Sequence, residues 1–381
     1  MRASRPPAQP LTFHVVVYRE RPSPLLMLVP RAKIPILPQH SSGLRYLRFL
    51  LCDSSIASLP CNALFPVPAM AIDTEAARFF VSAQRGGASF ENCLTLGRQL
   101  LHVSDREMRQ ILVDAGMDPK GCPSLFSRSY PDYAEPFWKA LGASRADSMD
   151  VGDFEGATVT HDLNLPVPDS LIARFDAVCD IGTLEHVFNF LGAIRNALEM
   201  VKVGGHFFAV TPANNFFGHG FFQFSPELFF RLLSPENGYR IERMYAVVYG
   251  LRHRWYEVVD PDQVRTRVIA INGQPVHLMV QARRLEKVPL LQRFPQQSDY
   301  VNMWQTWPQS KARTDLVRLG WLAPWVGRLK NTVLNHAPFL ARAIESVVFS
   351  SLNRGYSFRN RSCFRPVDKR RLCRSEDSRG Q

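Results

Sequence analysis

From residue 70 onward the apolar and polar positions fall into two periods. Thr74–Arg85 repeats every three to four residues, the spacing of a helix with one buried stripe. Asn92–Leu96 is a short apolar run closed by Gly97, which predicts a strand and a turn. Ser104-Asp105-Arg106-Glu107 is a capping box, in which the Ser104 hydroxyl and the Glu107 carboxylate each accept from a backbone N–H of the first helical turn. It opens a helix with Met108, Ile111 and Leu112 on one face, and Gly116 is its stop. Tyr133–Leu141 reads as a second such helix, ended by Gly142. Three strands follow at Arg145–Val151, Ala157–Thr160 and Phe175–Ile181. A helix over Ala193–Val201 meets a stop and turn at Gly204-Gly205, and the strand His206–Thr211 ends at Pro212. Arg240–Val248 and Val276–Arg284 are expected to form an antiparallel edge pair.

The strands are apolar along their length instead of alternating, which marks burial on both faces. Strands separated by helices then predict an α/β fold, a doubly wound and mostly parallel sheet with an antiparallel edge. In such sheets ligands bind beyond the carboxyl ends of the strands, where the strand order reverses. The residues at those ends are Gly97-Arg98-Gln99, Asp147 and Asp150, Asp162, the run Asp180-Ile181-Gly182-Thr183-Leu184-Glu185-His186, and Thr211-Pro212-Ala213-Asn214-Asn215. Carboxylates ending neighbouring strands suit a ligand rich in hydroxyl and amino donors and repel a polyphosphate. No G-x-x-x-x-G-K-[ST] loop is present, which also argues against an ATPase.

Composition changes this picture only at the ends. The chain has 381 residues, 46% hydrophobic and 21% charged, with a net charge of +12. Residues 1–60 and 354–381 carry all of that excess, so the body is near neutral and no nucleic-acid surface is expected. Eleven of the 28 prolines fall in residues 1–69, where no helix or strand period holds. We expect that segment to be a disordered tail or a non-native extension, with Met70 as the start. Residues 286–353, with Trp304, Trp307, Trp321 and Trp325, read as a helical extension, and 354–381 as a basic disordered tail. No run is long enough for a membrane span. Seven cysteines without a C-x-x-C pair argue against a zinc ribbon and a secreted disulfide scaffold, and point to a reducing, cytoplasmic setting.

The run Phe175-Asp176-Ala177-Val178-Cys179-Asp180-Ile181-Gly182-Thr183-Leu184-Glu185-His186-Val187, followed by Val201-Lys202-Val203-Gly204-Gly205-His206-Phe207, resembles the second half of a class I S-adenosylmethionine-dependent methyltransferase. The resemblance spans about residues 90–285, and it implies a Rossmann-like domain over 70–285, S-adenosylmethionine as cofactor and a small-molecule or sugar-type acceptor. It assigns the ribose hydroxyls to Asp150, with Asp147 as second choice, and the adenine amine to Asp162. Asp180 and Gly182 would line the methionine side, with Glu185 and His186 opening the helix below the methyl-transfer site. One departure is large: the glycine-rich loop after the first strand is reduced to Gly97, which leaves Arg98 or Gln99 to reach the cofactor carboxylate. His186 is the first candidate base and His219 the second. Glu185 and His186 lack a third donor at metal-ligand spacing, so no metal is expected. The alternative is a non-catalytic descendant that keeps the sheet as a binding or scaffold protein.

Overall fold

The computed structural model describes residues 15–16, 27–28, 71–126, 132–292, 294–310, 339 and 357–372. The chain divides into two units, residues 1–67 and 68–381. Within the first, strands β1 (Val15–Val16) and β2 (Met27–Leu28) pair antiparallel. The rest of residues 1–69, Trp321 and Trp325 lie outside the described residues.

The second unit opens with β3 (Ile72–Asp73) and helix α1 (Thr74–Arg85), which starts where the Asp73 carboxylate accepts from Ala76 N at 2.8 Å. Strands β4 (Asn92–Leu96) and β5 (Leu100–His102) follow. The capping box then forms as expected: the Ser104 hydroxyl accepts from Glu107 N, the Glu107 carboxylate from Ser104 N, and α2 (Asp105–Asp114) begins there. Gly116, at φ +67°, takes the left-handed position that ends it. Next come β6 (Asp132–Tyr133), α3 (Glu135–Ala140), β7 (Arg145–Asp150), β8 (Val159–Thr160) and β9 (Phe175–Ile181). Helix α4 (Phe190–Met200) passes without a loop into β10 (Val201–Asn214). The remaining elements are α5 (Pro226–Leu232), β11 (Tyr239–Val248), β12 (Arg254–Val258), α6 (Pro261–Val264), β13 (Val276–Arg284), α7 (Ser298–Ser310) and β14 (Phe364–Val367).

Nine strands form one mixed sheet in the order β14-β12-β11-β13-β10-β9-β4-β7-β8. The five strands from β10 to β8 run parallel to one another, and each pairing from β10–β13 outward is antiparallel. Alternate residues of the same strands enter two different cores. Cys93, Ala177, Cys179 and Phe208 pack with Phe79 and Phe80 of α1 and with Trp138 of α3. Leu94, Val178, Phe207 and Ala209 pack with Ala193, Ile194 and Ala197 of α4 and with Phe229 of α5. Burial on both faces is why these strands read as continuous apolar runs. Beside the sheet, β3, β5 and β6 make a small separate sheet.

Three expectations are corrected. The β11–β13 pair is antiparallel but not an edge, because β12 and β14 lie outside it. Gly204-Gly205 is not a turn between helix and strand. It is an irregularity inside β10, where the pairing with β9 slips between Val201 and His206, and Gly205 leaves room only for a hydrogen, since a Cβ there would stand 2.7 Å from the Asp176 carbonyl. The basic tail contains β14, paired with β12 so that Trp255 faces Val367. Its Lys369 donates to the buried Glu75 carboxylate at 2.7 Å, a contact that holds the segment against α1. Among the described residues no helix is long and apolar enough to cross a membrane.

Candidate functional site

The strand order reverses between β4 and β9, which pair with each other and carry β7 and β10 on their outer sides. Gly97 stands at that reversal with φ +73°, a conformation that favours glycine. Its N–H donates to the Met149 carbonyl of β7 at 2.7 Å. On the other side a Cβ at Gly97 would lie 3.0 Å from Thr183 Oγ1 and 3.2 Å from Gln99 Nε2. Thr183 Oγ1 and Gln99 Nε2 both donate to the Leu96 carbonyl, at 2.7 and 3.0 Å. One glycine thus joins the ends of β7, β4 and β9.

Asp180 is fully buried at the end of β9. Its Oδ1 accepts from Thr183 N at 3.0 Å and Leu184 N at 3.1 Å, while Oδ2 is buried without a hydrogen-bond partner. Burial raises its pKa to about 7, against the lowering effect of those two amides. Gly182 adopts φ +75°, which turns the chain out of the strand. Glu185, equally buried, is pushed to about 9 by burial and by the nearby Asp180 charge. Gln99 is a third buried group here, with Oε1 unpartnered.

The acids of β7 and β8 divide. Asp147 is buried and spent on structure: it is ion-paired to Arg145 at 2.7 Å and accepts from the Thr158 hydroxyl. Asp150 is half-buried at the strand end and accepts locally, from Val151 N at 2.7 Å, so of the two candidates it is the one not held in an ion pair. Asp162 follows two residues after Thr160, the register partner of Asp150. It forms a turn in which Oδ1 accepts from both N–H groups of Asn164, and these bonds lower its pKa.

One expected role changes, and two strand-end residues turn out to be engaged elsewhere. Arg98 does not extend toward a ligand carboxylate. Its guanidinium is paired with Glu135 at 2.7 Å, donates to the Glu155 carbonyl and lies 3.6 Å over the Tyr133 ring. Asn214 and Asn215 are spent on the loop before β13, where they donate to Asn272 and to the Gln274 carbonyl, each at 2.7 Å.

The loop after β10 folds back over the end of β9. Phe221 N and Phe222 N both donate to the Glu185 carbonyl, at 2.8 and 3.3 Å. Gly220 permits this crossing, since a Cβ there would be 2.9 Å from that same oxygen. The fold-back brings His219 Nε2 to 3.7 Å from Glu185 Oε1 and its ring to 5.1 Å from the exposed His186. His219 therefore supplies the third donor that spacing alone did not reveal beside Glu185 and His186. Burial, and then the neighbouring His186, lower the His219 pKa. Thr211, one of the strand-end residues, donates to Glu185 Oε2 at 3.5 Å, a contact that the sequence does not reveal. The phenylalanines of this loop split: Phe216 and Phe224 are core, whereas Phe217 and Phe221 are exposed, Phe221 edge-on to exposed Phe188 at 5.5 Å.

No protein-family model matches the chain, and no curated protein matches its sequence. Among solved structures, it is similar to the branched-chain polyamine synthase of Thermus thermophilus in complex with N4-aminopropylspermidine and 5'-methylthioadenosine, at 14% identity and a TM-score of 0.31 over 57% of each chain. It is also similar to the 1,6-didemethyltoxoflavin-N1-methyltransferase of Burkholderia thailandensis with bound 1,6-didemethyltoxoflavin and S-adenosylhomocysteine, at 12% identity and a TM-score of 0.27, over 68% of this chain and 96% of that one. A third is the trans-methyltransferase CalH in complex with SAH, at 10% identity and a TM-score of 0.30, over 54% of this chain and 55% of that one. Likenesses this slight assign neither cofactor nor substrate to the chain.

Proposed function

We propose that this chain is an S-adenosylmethionine-dependent methyltransferase acting on a small-molecule acceptor, with its cofactor at the reversal between β4 and β9. The domain, over residues 70–285, is then a doubly wound Rossmann-like fold. Numbered in chain order, its parallel strands lie 3-2-1-4-5, an order whose ligands bind at the reversal. One observation carries the reading: Gly97 links three strand ends, and the acceptor oxygens gathered there, Asp180 Oδ2 and Gln99 Oε1, are buried without partners. Unmet acceptors at the strand-order reversal fit the amino donors of an S-adenosylmethionine, and Asp150 fits its ribose hydroxyls.

Bound there, S-adenosylmethionine supplies an activated methyl group on a sulfonium leaving group. The protein's own part is alignment and proton removal. Gly182 and Thr183 shape the wall on the methionine side. His219, with its pKa lowered, is neutral near pH 7 and offers a lone pair to an acceptor proton, with His186 as the exposed second imidazole. The exposed Phe188, Phe217 and Phe221 of the neighbouring segments suit an acceptor with an apolar or ring face, sugar rings included.

A second reading, a non-catalytic binding or scaffold protein, is favoured by the filling of the β4 end with Thr183 and Gln99 and by the Arg98–Glu135 pair. Calorimetric titration of the full chain with S-adenosylmethionine and S-adenosylhomocysteine separates the two. Micromolar binding that disappears in Asp150→Ala supports the enzyme; no heat of binding with either compound leaves only the scaffold.

A further inference from the structure

We propose that Glu185, His186 and His219 form a binding site for one divalent transition-metal ion with open coordination positions. Each of the three groups offers one donor atom, and these atoms lie within 4.8 Å of one another. A zinc-type ion bonds imidazole nitrogen and carboxylate oxygen at about 2.0–2.2 Å, which in tetrahedral geometry puts neighbouring donors roughly 3.3–3.6 Å apart. The Glu185 Oε1 to His219 Nε2 distance of 3.7 Å is already near that value. His186 is the exposed member, so its ring can close the remaining gap by a rotamer change.

A second, independent feature points to a ligand. Glu185 Oε1 and His219 Nε2 are both buried and both lack a hydrogen-bond partner, and Glu185 is fully shielded from solvent. They face each other beyond hydrogen-bond reach. Leaving such atoms unmatched is unfavourable, and an ion between them satisfies both. The surroundings are built to hold the donors. Phe221 and Phe222 amides clamp the Glu185 carbonyl, Gly220 allows that approach, and Thr211 donates to Glu185 Oε2. Such outer contacts orient ligands in metal sites.

Donor chemistry selects the ion. Two imidazoles with one carboxylate favour zinc, cobalt or ferrous iron over magnesium and calcium, which take oxygen ligands. Three protein donors leave positions free on the side of the exposed His186, where an oxygen or nitrogen of a substrate can bind. The site goes beyond the methyl-transfer reading: with an ion bound, His186 and His219 act as ligands, not as proton acceptors.

The test needs neither cofactor nor acceptor, so it stands or falls apart from that reading. The full chain is stripped with a chelator, exchanged into metal-free buffer and titrated with zinc chloride or cobalt chloride. Elemental analysis after gel filtration reads stoichiometry, and cobalt absorption reads nitrogen and oxygen ligation. The expected result is one ion per chain. His186→Ala, His219→Ala and Glu185→Gln should each weaken binding by more than the roughly 10–100-fold that follows loss of an outer-shell partner. His186 is exposed, so His186→Ala keeps the test valid if a buried variant fails to fold. Absence of stoichiometric metal in the wild type, or binding unchanged in His186→Ala and His219→Ala, overturns the proposal. Direct pairing of Glu185 with His219 would produce the first of these outcomes.

Discussion

Glu75 ties the two ends of the second unit together, and replacing it with glutamine measures that tie. Only 2% of the residue is exposed. Its carboxylate accepts from Trp255 Nε1 of β12 and from Lys369 Nζ at 2.7 Å, and His253 Nδ1 lies at 3.3 Å. Burial alone would raise its pKa, but the His253, Lys369 and Trp255 contacts outweigh burial and hold it down from 4.5 to about 2. That difference corresponds to about 3 kcal/mol of stability at neutral pH, and screening at the partly exposed Lys369 and His253 reduces it to about 2. Glutamine keeps the shape but turns an amide N–H₂ toward one of the donors. The expected cost is therefore about 2–3 kcal/mol, at or just below the roughly 3–5 kcal/mol that breaking a fully buried charged pair costs. The sign follows from the depressed pKa. The contribution is complete above pH about 4.5 and disappears as the pH falls through about 2. Urea unfolding followed by tryptophan fluorescence at a series of pH values is the assay. Wild type and Glu75→Gln should differ most at neutral pH and converge near pH 2. A gap below about 0.5 kcal/mol at pH 7, or one independent of pH, would refute the reasoning, because it would mean that the carboxylate charge is not what holds β12 and the Lys369 segment to α1.

Three other substitutions probe the frame around the site. Gly97→Ala forces a side chain into φ +73° and against Thr183 Oγ1 at 3.0 Å, so it should cost about 1–2 kcal/mol and weaken S-adenosylmethionine binding, both read by denaturation and calorimetry. Ser104→Ala removes the capping box of α2 and should cost about 1 kcal/mol without affecting ligand binding. Phe208→Ala empties the centre of an aromatic cluster in which its ring stacks on Phe90 at 5.3 Å and meets Phe79 and Phe80 edge-on; a loss of about 3–5 kcal/mol is expected in the same unfolding assay.

Strand and helix periods carried the central sheet into view. Phe175–Ile181, Val276–Arg284, Asn92–Leu96 and Thr74–Arg85 have the boundaries that their apolar runs predict. A run buried on both faces or along one stripe leaves a strong pattern. The outer edge did not. β14 has only four residues, with Arg365 and Pro366 exposed, and what holds its segment is a Lys369–Glu75 contact between positions far apart in the chain. β3, β5 and β6, of two or three residues each, are too short to show any period. At the site, the carboxylates were visible because strand ends are. The position of His219 was not, since it depends on a loop folding back through amide bonds to the Glu185 carbonyl. The only trace of that crossing in the sequence is the pair of glycines flanking His219, and one of them, Gly220, sits where a side chain would collide. Arg98 looked available for the same reason: its partner Glu135 lies on a separate helix, and no spacing rule connects them.

Whether the β4 end is a cradle or a plug turns on one amide. Gln99 uses Nε2 to donate to the Leu96 carbonyl, so this bond can persist while Oε1 accepts from a ligand. A plug would need nothing from Oε1; a cradle needs it directly. Gln99→Leu removes both polar atoms at similar volume, and the Thr183 hydroxyl still satisfies the Leu96 carbonyl. If Oε1 meets an amino donor of the cofactor, this variant should lose about 1–1.5 kcal/mol of binding free energy, roughly tenfold in affinity. Its folding stability should stay within about 1 kcal/mol of wild type, because deleting a buried acceptor that had no partner offsets the lost Nε2 bond. The two readings therefore separate in a single pair of measurements. Weaker S-adenosylmethionine binding with stability retained supports the cradle. Unchanged binding, or binding absent in both proteins while stability falls, shows that Gln99 and Thr183 close the crevice.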